Sequence, residues 1–272
     1  MQTWRVVSAS ATGTSHQRNG QPCQDYQSHR CVSANSSRGA LVAAVADGAG
    51  SASLSADGSR IAACAAVQKA CSLVSRHVHP LYEGVLKEVL EETAHFARKE
   101  LEAEARTRNA QIRDLATTLI IAICASDIIA TAQIGDGAVV TLASAGSTAS
   151  DEDSKAPRYT LFSPPQRGEY ANETKFITSN DWRKSLAIKV QRANVKHLAM
   201  FTDGIQPLAL DASAANAPHA PFFTPLFRWA EKQHDAQSAK QTLKGFLSSP
   251  RVTARVDDDT TLLLANLTDT AW

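Results

Sequence analysis

The stretch Thr118-Leu119-Ile120-Ile121-Ala122-Ile123-Cys124-Ala125, then Ser126-Asp127, then Ile128-Ile129-Ala130-Thr131-Ala132-Gln133-Ile134 decides the fold class. Two apolar runs of seven or eight residues, rich in β-branched side chains, are split by two residues suited to a tight turn. Ala138 to Leu142 follows across Gly135-Asp136-Gly137, so the spacing predicts a three-strand β-meander and an antiparallel sheet. Further strands are expected over 4–9, 40–46, 197–201 and 261–265, each bounded by Gly, Asp, Asn or Ser.

Helices are expected between the early strands, over about 55–74 and about 81–108. In the second, Val85, Leu86, Val89, Leu90, Phe96, Ala97 and Leu101 fall on one face, opposite Glu88, Glu91, Glu92 and Lys99. A shorter helix is expected over 236–247. The small, polar run 144–154 and the Ala- and Pro-rich run 211–224 read as loops. Phe222 to Trp229 reads either as core or as a partner surface. Clustered strands with helices between them suggest two sheets with helices outside, in one domain over 1–272.

The chain has 272 residues, 43% hydrophobic and 20% charged, with a formal net charge of +1. That composition excludes a disordered, collagen-like or coiled-coil chain. No basic excess points to nucleic acid, and no apolar run is long enough to span a bilayer. The N-terminus lacks the charged and apolar regions of a signal peptide. The five cysteines contain no C-x-x-C, which favours reduced thiols in a cytoplasmic protein.

Aspartates recur where the apolar runs end: Asp47 after Val45-Ala46, Asp136 after Ile134-Gly135, Asp203 after Phe201-Thr202, and Asp257-Asp258-Asp259 before the last strand. One Asp-Gly pair is an ordinary turn dipeptide. Several carboxylates converging on one sheet rim would repel each other unless cations neutralise them, and all-oxygen ligands suit Mg²⁺ or Mn²⁺.

In order, Cys23-Gln24-Asp25, Val45-Ala46-Asp47-Gly48-Ala49-Gly50-Ser51, Thr117-Thr118-Leu119, Gly135-Asp136-Gly137, Phe201-Thr202-Asp203-Gly204-Ile205 and Asp258-Asp259-Thr260-Thr261-Leu262 resemble the motifs of the metal-dependent serine/threonine protein phosphatases (PPM family, type 2C). Pro22 to Asp25, together with Gly168 to Thr174, is similar to a bacterial branch. The resemblance implies an α+β fold, a four-layer αββα sandwich of two antiparallel sheets flanked by helical pairs. It implies a binuclear Mg²⁺ or Mn²⁺ centre with room for a third ion, where an activated water hydrolyses phosphoserine or phosphothreonine.

By the same resemblance, Asp47 bridges two metals and the Gly48 carbonyl joins the second. Asp203 and Asp258 hold the first, Asp136 a third, and Asp25 binds through water. Gln24 stands where the family commonly has a ligating Glu. Gly20 stands where an Arg often holds the substrate phosphate, which leaves Arg18 or His16 to reach that place, and Ala49 replaces a proposed proton-donating His. The expected partners are a phosphorylated protein substrate and a cognate serine/threonine kinase, and the expected state is a monomer. Two alternatives stay open: a catalytically weak relative that binds phosphoproteins (a pseudophosphatase), and a hydrolase of small phosphate esters.

Overall fold

The computed structural model describes residues 2–32, 39–77, 81–125, 127–143, 157–166 and 174–269. The expected loop 144–154, Ser126, and most of the 168–174 stretch lie outside them. The strands are β1 (Thr3–Ala11), β2 (Asp25–Val32), β3 (Ala40–Asp47), β4 (Leu119–Ala125), β5 (Ile128–Ile134), β6 (Ala138–Ala143), β7 (Thr160–Ser163), β8 (Ala187–Arg192), β9 (Val195–Phe201), β10 (Leu210–Asp211), β11 (Ala217–Pro218) and β12 (Thr260–Thr268). The helices are α1 (Thr14–Arg18), α2 (Ser55–Arg76), α3 (Glu83–Thr107), α4 (Trp182–Ser185), α5 (Gln206–Ala209), α6 (Ala220–Glu231), α7 (Ala236–Leu247) and α8 (Pro250–Thr253).

Two five-stranded antiparallel sheets result, ordered β1-β12-β9-β6-β7 and β2-β3-β4-β5-β8. β3 and β4 are buried along most of their length because both faces are covered. Leu41, Ala43, Val45, Ile120 and Ala122 point to the other sheet and meet Val6, Leu198, Met200 and Leu263 in an inner core. Val42, Ala44, Ala46, Ile121 and Ile123 point outward to α2 and α3, meeting Ala62, Ala66, Leu86, Leu90 and Leu101. On the opposite side, Val7, Ala199, Phe201, Leu262 and Leu264 pack against Phe223, Phe227, Leu243 and Leu247 of α6 and α7. The layers are therefore helix, sheet, sheet, helix.

Two expectations are corrected. β4 and β5 pair as a hairpin, but β6 does not continue the meander: it pairs with β9 and β7 in the other sheet. The Gly135–Gly137 turn carries the chain across, with Gly135 at φ +109°, a backbone region that a side chain rarely tolerates. The run 211–224 is not all loop, since β11 lies within it and α6 begins at Ala220. Phe223 and Phe227 of that helix are core, while Phe222, Leu226 and Trp229 are half-buried against it. All five cysteines are free, and no helix among the described residues is long and apolar enough to cross a membrane.

Candidate metal centre

Strand ends bring the aspartates to one end of the sandwich. Asp25 opens β2 and pairs in register with Asp47, the last residue of β3. The Asp47 backbone is clamped by the two residues that lead into β4: its N–H donates to Thr118 Oγ1 (2.9 Å), and its carbonyl accepts from Thr118 N (2.8 Å) and Thr117 Oγ1 (2.9 Å). Gly48 N donates to the Gln24 carbonyl at 3.0 Å. A Cβ on Gly48 would stand 2.6 Å from the Ser55 carbonyl oxygen and 2.8 Å from that of Gln24, so only glycine lets these backbones approach so closely.

Asp136 sits in the crossing turn. Gln133 Nε2 braces that turn from below, donating to the carbonyls of Gly135 (3.0 Å) and Gly137 (2.8 Å), and Thr174 Oγ1 donates to Asp136 Oδ2 at 2.9 Å. The Gln206 amide donates to the Asp136 carbonyl. Asp203 opens the short turn after β9, and Asp258 precedes β12.

One carboxylate oxygen each of Asp47, Asp136 and Asp203 lies within 4.8 Å of the others. Ligand atoms of His16, Asp258 and Asp259 form a second such group. A cleft of about 350 Å³ is lined by Ser15, His16, Asp47, Gly48, Asp136, Asp203, Asp257 and Asp258. Burial, then repulsion from Asp136 and Asp258, raises the Asp203 pKa to about 6. Burial is also the main cause at Asp25, raised to about 8 although Thr202 hydrogen-bonds it. Asp47 is raised well above the carboxylate range by burial, then by Asp25 and Asp203. Positive charge supplied among carboxyls packed this closely favours their ionised forms. The first group offers only oxygen, and Gln24 Oε1, Asp25 Oδ1 and Asp136 Oδ1 are buried without a hydrogen-bond partner among the described residues. These residues fit divalent cations of the Mg²⁺ or Mn²⁺ kind.

Asp47, Gly48, Asp136, Asp203, Asp258 and His16 thus share one cleft. Asp25 stands behind it, its Oδ2 accepting from Thr202 Oγ1 at 2.6 Å. Gln24 is only 5% exposed, and it lines an adjoining groove with Gln21, Pro22 and residues 50–57 rather than the cleft. Arg18 is exposed at the end of α1 and does not line the cleft.

Sequence reasoning passed over Asp259. It is 2% exposed, and its oxygens accept from Gly13 N (2.6 Å) and Gln24 N (2.5 Å) and lie 3.0 Å from His16 Nδ1. Three aspartates in a row carry no signal for which one turns inward. Thr202 and Gln133 were also passed over, because a lone Thr or Gln at a strand end is not a motif.

The sequence profile described as Protein phosphatase 2C matches residues 12–248. Serine/threonine-protein phosphatase 3 of Escherichia coli (strain K12) is 37% identical over 265 residues, covering 97% of this chain and 98% of its own. The serine/threonine phosphatase of S. agalactiae superposes with a TM-score of 0.62 at 13% identity, covering 97% of this chain and 100% of that one. The catalytic domain of the serine/threonine protein phosphatase PstP, solved with two manganese ions, superposes with a TM-score of 0.58 at 14% identity, covering 99% and 100%.

Proposed function

The chain belongs to the protein phosphatase 2C family, a metal-dependent protein serine/threonine phosphatase, and from that premise we propose which of its residues do the work. The observation that carries the reading is the meeting of Asp47, Asp136 and Asp203 within 4.8 Å. Mg²⁺ or Mn²⁺, as two ions with a place for a third, supplies Lewis acidity that acidifies water and offsets phosphoryl charge. Asp47, the Gly48 carbonyl, Asp203 and Asp258 would hold the two ions, and Asp136 would help to hold a third.

The other residues hold this set in position. Thr117 and Thr118 fix the Asp47 backbone, and Asp25, hydrogen-bonded to Thr202, supports the cluster from behind through water. His16, on the cleft wall, contacts the phosphoryl group in place of an arginine. No cysteine lines the cleft among the described residues, so no thiol nucleophile is at hand, and the mechanism we propose is direct attack of water on phosphorus.

The weak-binder alternative is not favoured, because the acidic set departs from the expected pattern only at Gln24. The shared inner core between the sheets supports reading 1–272 as one domain. The five free thiols support action in the cytoplasm. A serine/threonine kinase is the counterpart, since each phosphate removed must first be installed.

The test is hydrolysis of a phosphothreonine peptide by the purified protein. Mn²⁺ should support it, EDTA should stop it, and Asp203→Asn should cut it at least about a hundredfold. Activity surviving Asp203→Asn would remove the mechanism.

A further inference from the structure

The loops that present Asp203 and Asp258 to the cleft share a second surface. Asp203 leads through its short turn into α5, which carries Leu208, and Arg255 stands three residues before Asp258. Leu208 and Arg255 both line a depression of about 490 Å³, together with Phe222, Phe246, Arg251 and Val252. That volume falls in the range of ligand pockets, about 300–1,000 Å³. Its floor is apolar. Leu208 and Val252 are buried, and the half-buried rings of Phe222 and Phe246 stand 6.4 Å apart.

Its rim is cationic. Arg251 and Arg255 are exposed, and among the described residues no carboxylate lines the depression and neither guanidinium has an ion-pair partner. Guanidinium groups beside apolar surface are weakly hydrated and well matched to carboxylates. Acidic residues of a substrate are attracted at the arginine pair.

We propose that this depression docks the phosphoprotein substrate through a segment that joins a large apolar side chain to acidic neighbours. The proposal rests on the phosphatase reading and adds to it a place where the substrate is held away from the reacting phosphate.

The experiment compares the full chain with its R251E/R255E variant, both loaded with Mn²⁺. Three probes are used: p-nitrophenyl phosphate, phosphorylated casein, and a fluorescent peptide Glu-Asp-Leu-Phe-Asp-Glu followed by anisotropy. We expect p-nitrophenyl phosphate turnover to stay within about twofold, KM for phosphorylated casein to rise about tenfold with kcat unchanged, and the peptide to bind the unaltered chain only. Equal KM values for casein, or equal peptide binding by both proteins, would overturn the proposal. So would displacement of the peptide by neither casein nor unlabelled peptide but by decanoate, which would mark a site for fatty anions. If neither protein hydrolyses p-nitrophenyl phosphate or phosphorylated casein, the phosphatase reading fails, while the peptide measurement still decides the docking site.

Discussion

Asp25 stands directly opposite Asp47 across the β2–β3 ladder, so one pair of strands delivers two carboxylates to a single sheet end. Burial is the first cause that raises both carboxyls above the usual carboxylate range, and repulsion from Asp25 adds to it at Asp47.

The metal-free protein is therefore expected to lose stability as pH rises. A carboxyl whose pKa is raised by folding stabilises the fold fully below its ordinary value of 3.8, and that contribution is lost as pH rises through the folded value. For Asp25 the folded value is about 8, and Asp47 is raised in the same direction. His29, held low by burial, works in the opposite sense, but only below its ordinary 6.5. The melting temperature in EDTA should fall from pH 6.5 to pH 8, and Mn²⁺ should shrink that fall. A rise over the same interval would contradict the electrostatic account.

His16 and Arg18 separate cleanly, because one lines the cleft and the other does not. His16→Ala should lower kcat/KM for p-nitrophenyl phosphate about tenfold, as loss of one polar contact to the phosphoryl group. Arg18→Ala should stay within about twofold. The reverse ranking would show that the loop carrying α1 rearranges around substrate.

Gln24 offers a buried amide oxygen with no donor. A carboxylate there would add charge to the ligand set, and ligand charge sets cation affinity. Gln24→Glu is expected to tighten Mn²⁺ binding about tenfold by calorimetry and to lower the melting temperature in EDTA. Unchanged affinity would mean that this side chain reaches no ion.

Asp259 is expected to matter for the fold before it matters for chemistry. It holds the backbone N–H groups of Gly13 and Gln24, and Asp259→Ala leaves both without that acceptor at a cost of about 3 kcal/mol. Urea denaturation would read the loss. A variant as stable as the parent would show that water takes over both contacts.

The elements with covered faces were legible in the sequence. β5 and α7 are expected over 128–134 and 236–247 and run Ile128–Ile134 and Ala236–Leu247, because burial there imposes an unbroken apolar run or a clear helical stripe. The edge strands β2 and β8 were not legible. β2 reads Asp-Tyr-Gln-Ser-His-Arg-Cys-Val and β8 Ala-Ile-Lys-Val-Gln-Arg, and most of their residues keep some exposure, so polar side chains hide the strand pattern. The crossing at Gly135 was hidden for a different reason: a short turn between two apolar strands looks the same whether or not the next strand changes sheet.

The candidate site divides in the same way. Asp47, Asp136, Asp203 and Asp258 stand out because each follows or precedes a buried strand. Thr118, Thr202 and Asp259, which hold the backbones in place, act through hydrogen bonds between segments up to 246 residues apart, and no local pattern records such a bond.

The acidic residues come from both leaves of the sandwich: Asp25 and Asp47 from one, Asp203 and Asp258 from the other, with Asp136 on the strap between them. An ion seated among them is thus also a clasp. Withdrawing it leaves mutual repulsion at that rim, opposed by bonds such as Thr202 to Asp25. Chelation should then loosen the clasped rim ahead of the far one, and amide exchange would show the molecule opening like a book from its catalytic edge.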